Sequence, residues 1–127
     1  MPLVRISLMK GKPNGFGKKV GAIIYQAMVE TIHVPVKDNF QIITEHDSNT
    51  LIYDPTYLDI RRSDEIIVIQ ITLNEGRAPD LKKALFNTIA DRLHRELGVR
   101  MEDVMINLVE VKKENWSFGN GIAQYGQ

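Results

Sequence analysis

Three features of the sequence predict an α+β fold built from tandem βαβ units. They are a strand at the very start, two amphipathic helices each followed by a strand, and an internal repeat that aligns without a gap. Two such units with right-handed crossovers make a four-stranded sheet with both helices on one face. A C-terminal aromatic hairpin completes the chain. At 127 residues the chain suits a single domain, 1–127, with a sizeable core.

The elements follow in order. Leu3, Arg5 and Ser7 alternate with Val4, Ile6 and Leu8, the period of a half-buried strand. Turn residues fill positions 9–15. From 16 to 32 the apolar residues Val20, Ile23, Ile24, Ala27 and Met28 recur at helical spacing, giving one buried stripe. Pro35 disfavours the helical conformation at Val34 and ends that helix. Residues 39–45 read as a second strand, and a polar loop with Tyr53, Pro55 and Tyr57 runs from 47 to about 64. Residues 65–73 are nearly continuous β-branched apolar sequence, the pattern of a strand buried on both faces. Pro79 suits the first turn of a second helix, whose Leu81, Leu85, Ile89, Leu93 and Leu97 step by four up to Gly98, a natural stop. Residues 104–111 form a fourth strand. Residues 114–125 carry Trp116, Phe118 and Tyr125 around Gly119-Asn120-Gly121 and read as a hairpin.

Segments 1–46 and 66–111 align at one fixed offset. Ile6 falls on Ile71, Leu8 on Leu73, Gly11 on Gly76, Ile24 on Ile89, Asp38 on Asp103 and Glu45 on Glu110. With both helices on one side, the other face of the sheet is left open although its third strand expects cover. Self-association is the simplest supplier of that cover.

Composition removes several classes of function. Lys+Arg and Asp+Glu balance at 16 each, so no net field favours nucleic acid or an anionic membrane. The absence of cysteine excludes disulfides, thiolate catalysis and Cys-ligated metals, and fits a reducing cytoplasm. No apolar run approaches the length of a membrane span, and no export signal precedes the first strand. His33, His46 and His94 lack metal-ligand spacing, so no metal is expected.

Pro2 is the candidate reactive group. Once an initiator Met1 is removed, Pro2 offers a secondary amine fixed in a ring at the end of a strand. In an apolar pocket the cationic form of such an amine is disfavoured, and its pKa moves from the α-amino range towards neutrality. It then takes and returns protons at pH 7. The plainer alternative is a proline that starts an edge strand, where its missing N–H costs nothing.

The N-terminal Pro2, the doubled βαβ unit and the aromatic tail together resemble the tautomerase superfamily, and within it the malonate semialdehyde decarboxylase-like group. The likeness runs through Met1-Pro2-Leu3, Ala27-Met28-Val29-Glu30, Val34-Pro35 with Asp38 and Gln41, Arg62-Ser63, Leu108-Val109-Glu110 and Trp116-Ser117-Phe118-Gly119. It implies a 4-oxalocrotonate tautomerase-type fold, a homotrimer whose sheets face inward, and catalysis by the proline. It further implies that Asp38 assists Pro2 and activates water, and that Trp116, Phe118 and Tyr125 form a hydrophobic wall. The family's Arg-Pro-Arg segment, whose arginines bind the substrate carboxylate, here reads Leu73-Asn74-Glu75-Gly76-Arg77-Ala78. Arg77 matches the second arginine, and Asn74 or Glu75 stands for the first. One anchor fewer counts against malonate semialdehyde as the natural substrate.

The expected activity is thus a cofactor-independent isomerase, a tautomerase acting on small 2-oxo acids, with Pro2, Asp38 and Arg77 as catalytic set. Lyase chemistry on a 3-oxo acid, decarboxylation or hydration, is the alternative within the enzyme class. A non-catalytic oligomeric binding protein that keeps the fold is the alternative outside it. Arg61 and Arg62 are weaker candidates for a second cation reaching across a subunit boundary.

Overall fold

The structure is a computed structural model that describes residues 2–125. Its order is β1 (Leu3–Met9), α1 (Phe16–Ile32), β2 (Phe40–His46), β3 (Ile67–Asn74), α2 (Pro79–Leu97) and β4 (Val104–Val111). Short 3-10 turns lie at Tyr57–Asp59, Met101–Asp103 and Lys113–Asn115. The strands form a mixed sheet of order β2-β1-β3-β4. The pairs β1·β2 and β3·β4 are parallel, as strands joined through a helix must be, and β1 meets β3 antiparallel.

Register assigns the two faces. Val4, Ile6 and Leu8 lie beside Ile71, Ile69 and Ile67, and all six are buried. Val20, Ile24 and Met28 of α1 and Leu85, Ile89 and Leu93 of α2 close the same core, so both helices cover one face. Burying side chains of this size contributes about 1.5–3 kcal/mol each. An ion pair between Arg92 and Glu30 ties the helices together at the surface.

Two left-handed caps end the helices, His33 at φ 60° after α1 and Gly98 at φ 70° after α2. They stand 65 positions apart in the sequence, as do the buried Asp38 and Asp103 that precede β2 and β4.

The opposite face differs from expectation. β3 is not buried on both sides: Gln70 is exposed, and Val68 and Thr72 are only half-buried. The 47–66 loop covers one end of this face, packing Leu51 and Ile66 on Met9 with Tyr53 and Val68 at the margin. Beyond the loop Phe40, Ile42, Met105 and Val109 remain exposed, and Gln70 instead donates to Asn107 of β4 at 3.1 Å.

The tail also differs in form. Residues 116–125 reverse direction, but no strand pairing builds a hairpin there. Gly119, Asn120 and Gly121 all take positive φ, and no strand flanks them on either side. The Gln124 side chain supplies the ties instead: its Oε1 accepts the Phe118 amide at 2.9 Å, and its Nε2 donates to the Gly119 carbonyl at 3.0 Å.

Candidate active site

The sheet register brings the first residues of the chain to the end where β2 begins and β3 finishes. Leu3 lies beside Phe40 on one side and Thr72 on the other. The tail returns to this same end, because Asn74 at the close of β3 pairs with Val111 at the close of β4.

Pro2 is buried here and lines a cavity of about 200 Å³ together with Leu3, Phe40, Trp116, Ser117 and Phe118. Most of that wall is apolar. Trp116 and Phe118 stack with ring centroids 5.4 Å apart, and Tyr125 meets Phe118 edge-on at 5.3 Å. Tyr125 therefore backs the wall and does not line the cavity. The indole N–H of Trp116 donates to Asn74 Oδ1 at 2.7 Å, which anchors the aromatic stack to the end of β3.

Asp38 sits two residues before Phe40, in the turn between α1 and β2. Its amide donates to the Pro35 carbonyl at 3.1 Å. The preceding residue, Lys37, is held in the left-handed region at φ 77°, and its amide donates to the Tyr25 hydroxyl at 3.0 Å. At 8% exposure the Asp38 carboxyl is removed from water, and this burial raises its pKa above the usual carboxylate value. The positive charge of the chain's amino terminus acts in the opposite sense.

Arg77 is on the loop between β3 and α2. Its Nη1 donates to the Asn74 carbonyl at 3.1 Å and its Nε to the Ile32 carbonyl at 3.4 Å, which fixes the half-buried guanidinium between the ends of α1 and β3. The fold thus gathers Pro2, Trp116 and Phe118 around one cavity. Asp38 and Arg77 are held at the same end of the sheet but are not among the residues lining it.

The other polar candidates have structural duties. Arg62 donates through one nitrogen to the carbonyls of Asp54, Tyr57 and Ile60 at 3.0–3.3 Å, which ties the long loop to itself. His46 Nδ1 contacts Thr50 Oγ1 at 3.1 Å and His94 Nδ1 contacts the Val99 carbonyl at 2.9 Å. No group of His, Cys, Asp and Glu among the described residues could hold a metal.

Sequence reasoning missed Leu3, Phe40 and Ser117 as cavity residues, and missed the grip of Asn74 on Trp116. Phe40 carried a usable signal: it begins β2 on the face opposite the helices, beside the strand that follows Pro2. The Asn74–Trp116 bond spans 42 residues and has no local signature.

The arrangement sets a proline ring beside an apolar recess, with a shielded carboxyl and a fixed guanidinium held at the same end of the sheet.

Comparison with known proteins places the fold and the family. A family model described as tautomerase enzyme matches residues 38–119. Probable tautomerase YusQ of Bacillus subtilis (strain 168) is 47% identical over 124 residues, covering 98% of each chain. Among solved structures, FG41 malonate semialdehyde decarboxylase inhibited by 3-bromopropiolate superposes with TM-score 0.90 at 32% identity, over 98% of this chain and 94% of that one. A second malonate semialdehyde decarboxylase, which has decarboxylase and hydratase activities, superposes with TM-score 0.89 at 26% identity, over 97% and 95%. With the doubled βαβ sheet and a match of this extent in hand, the chain belongs to the tautomerase family.

Proposed function

We propose that this protein, once Met1 is removed, is a cofactor-independent tautomerase that interconverts the keto and enol forms of small 2-oxo acids. Pro2 is the general base and acid, moving a proton between the carbon next to the carbonyl and the enol oxygen. The observation that carries this reading is the burial of Pro2 in a cavity walled by Trp116, Phe118 and Phe40. Exclusion of water by such a wall favours the neutral amine, which is the form that can accept a proton at pH 7. Arg77 holds the substrate carboxylate, where the planar guanidinium suits two parallel hydrogen bonds. Asp38 steers the proline, and Tyr125 braces the wall from behind.

Intact mass and enol-to-keto conversion of phenylpyruvate, measured on one untagged preparation, test the proposal. Protein lacking Met1 accelerates the conversion, while Pro2→Ala and protein retaining Met1 do not. In the latter the Pro2 nitrogen is an amide without a basic lone pair. Full turnover by either inactive form defeats the reading.

A second reading is favoured by the buried Asp38 together with the likeness to the two decarboxylases. In it Asp38 activates water, and a 3-oxo acid such as malonate semialdehyde is decarboxylated or hydrated. Product analysis with malonate semialdehyde separates the two.

The working form is a homotrimer. The exposed Phe40 and Ile42 on one edge strand and Met105 and Val109 on the other support it, since apolar side chains left open on one sheet face mark an association site. The cysteine-free sequence supports a cytoplasmic location; no helix among the described residues is long and apolar enough to cross a membrane.

A further inference from the structure

The geometry points to Asn74 as the positioning residue of this site: it sets the aromatic wall over Pro2 and so controls how tightly an aromatic 2-oxo acid binds. This rests on the reading of the Pro2 cavity as the substrate site. Asn74 is the last residue of β3, and its backbone is locked in the ladder opposite Val111. The next amide, Glu75 N–H, also donates to the Val111 carbonyl at 2.9 Å. Asn74 is therefore a rigid post at the mouth of the sheet.

Two site groups are fastened to that post. Trp116 Nε1 donates to its side-chain oxygen at 2.7 Å, and Arg77 Nη1 donates to its backbone carbonyl at 3.1 Å. The chemistry of the first bond fixes the amide orientation. Indole N–H only donates, so Oδ1 must face Trp116 and the amide NH2 must turn away.

The tail that carries Trp116 forms no strand, so it has no ladder to hold it against the sheet. Within it, Gln124 ties only the tail to itself. The Asn74 bond joins the tail to the sheet, and Phe118 follows Trp116 because the two rings stack at an interplanar angle of 15°. Removing the acceptor leaves a half-buried donor unmatched and lets the indole swing away from the cavity. The bond's worth is of the order that shifts affinity about ten-fold.

Trp116 is the single tryptophan of the sequence, so the emission reports on the surroundings of this one indole. Emission and anisotropy are measured for the intact wild-type chain, Asn74→Ala and Asn74→Asp. Binding of phenylglyoxylate is measured by calorimetry for the wild type and Asn74→Ala. Phenylglyoxylate is a 2-oxo acid with no hydrogen on the carbon beside its carbonyl, so it binds without turnover.

Asn74→Ala is expected to shift the emission to the red, lower its anisotropy and weaken phenylglyoxylate about ten-fold. Where phenylpyruvate is turned over, KM rises by the same factor while kcat stays within about three-fold. Asn74→Asp keeps an acceptor in the same place and keeps the wild-type emission.

Unchanged emission and affinity in Asn74→Ala overturn the proposal. So do an Asn74→Asp that emits like Asn74→Ala, and a wild-type chain that does not bind phenylglyoxylate. Should Asn74→Ala fail to fold, Asn74→Leu removes the acceptor at nearly the native volume; the same red shift and ten-fold weakening support the proposal, and unchanged emission and affinity overturn it. A wild-type chain that shows the binding and fluorescence pattern but converts no 2-oxo acid leaves the role of Asn74 standing and removes the tautomerase reading.

Discussion

Asp103 receives both donors of Ser63, the amide on Oδ1 at 2.7 Å and the hydroxyl on Oδ2 at 2.6 Å. The Arg100 guanidinium adds a third contact at 3.2 Å, and the carboxylate is fully buried. This cluster pins the end of the 47–66 loop to the turn before β4. Asp38 holds the matching position before β2, at the end of the sheet where the cavity lies. The two carboxylates invite opposite experiments.

For Asp103 the expectation is loss of stability. Replacing it by alanine strands the Ser63 donors in a buried place and releases the loop. The cost is about 3 kcal/mol, or roughly a 10 °C fall in Tm for a chain of this size. A thermal melt of Asp103→Ala that moves by less than about 2 °C would remove the cluster from the list of structural anchors.

For Asp38 the sign reverses. Burial raises its carboxyl pKa, so the folded state holds this proton to higher pH than the unfolded chain does. Between the unfolded and folded values the native state binds more protons, and the group's contribution to stability falls as pH rises through that window. Asp38→Asn is therefore expected to melt above the wild type at neutral pH, with the gap closing as acid protonates the wild-type carboxyl. Melts of both proteins in neutral and acidic buffer check this, and a gap that widens on acidification contradicts it.

Arg77 is held by two backbone carbonyls, so its position does not depend on substrate. Arg77→Ala is expected to lower kcat/KM for phenylpyruvate about 100-fold, mostly through KM, because the carboxylate loses its charge partner. Arg77→Lys recovers only part of this, since a point charge cannot replace the planar fork. A loss below about three-fold in Arg77→Ala would place the carboxylate elsewhere.

Gly21 of α1 faces β2, where Gln41 Nε2 donates to its carbonyl at 2.8 Å. An added Cβ would come within 2.0 Å of Gln41 Oε1, the far end of a flexible side chain. Gly21→Ala thus trades a hydrogen bond worth about 1 kcal/mol against a helix-propensity gain of about 1 kcal/mol. Near-neutral stability is expected. A loss above about 3 kcal/mol on chemical denaturation would mean that Gln41 cannot move aside.

The order and type of the strands and helices were legible because each element has a strong period or a clear stop. The leucine step to Gly98 and the alternation from Leu3 to Leu8 leave little choice of structure. Pro2, Trp116 and Phe118 could be singled out from residue chemistry and resemblance, and the fold brings these three to one cavity. The tail was read as a hairpin because its aromatics flank a glycine turn. That pattern does not reveal that a glutamine side chain, Gln124, closes the loop in place of a ladder.

Local pattern therefore determined which segments are strands or helices and which helix face is buried, since periodicity and stop residues act within a few positions of themselves. What stands over Pro2 was decided by the tertiary structure alone. Phe40 reaches the cavity through a strand register, and Trp116 is held there by a residue 42 positions away. The Asn74–Trp116 bond leaves no trace in neighbouring residues, and the place of Phe40 beside Pro2 follows only once β2 is paired with β1, because both arise when distant backbone segments come to share one end of the sheet.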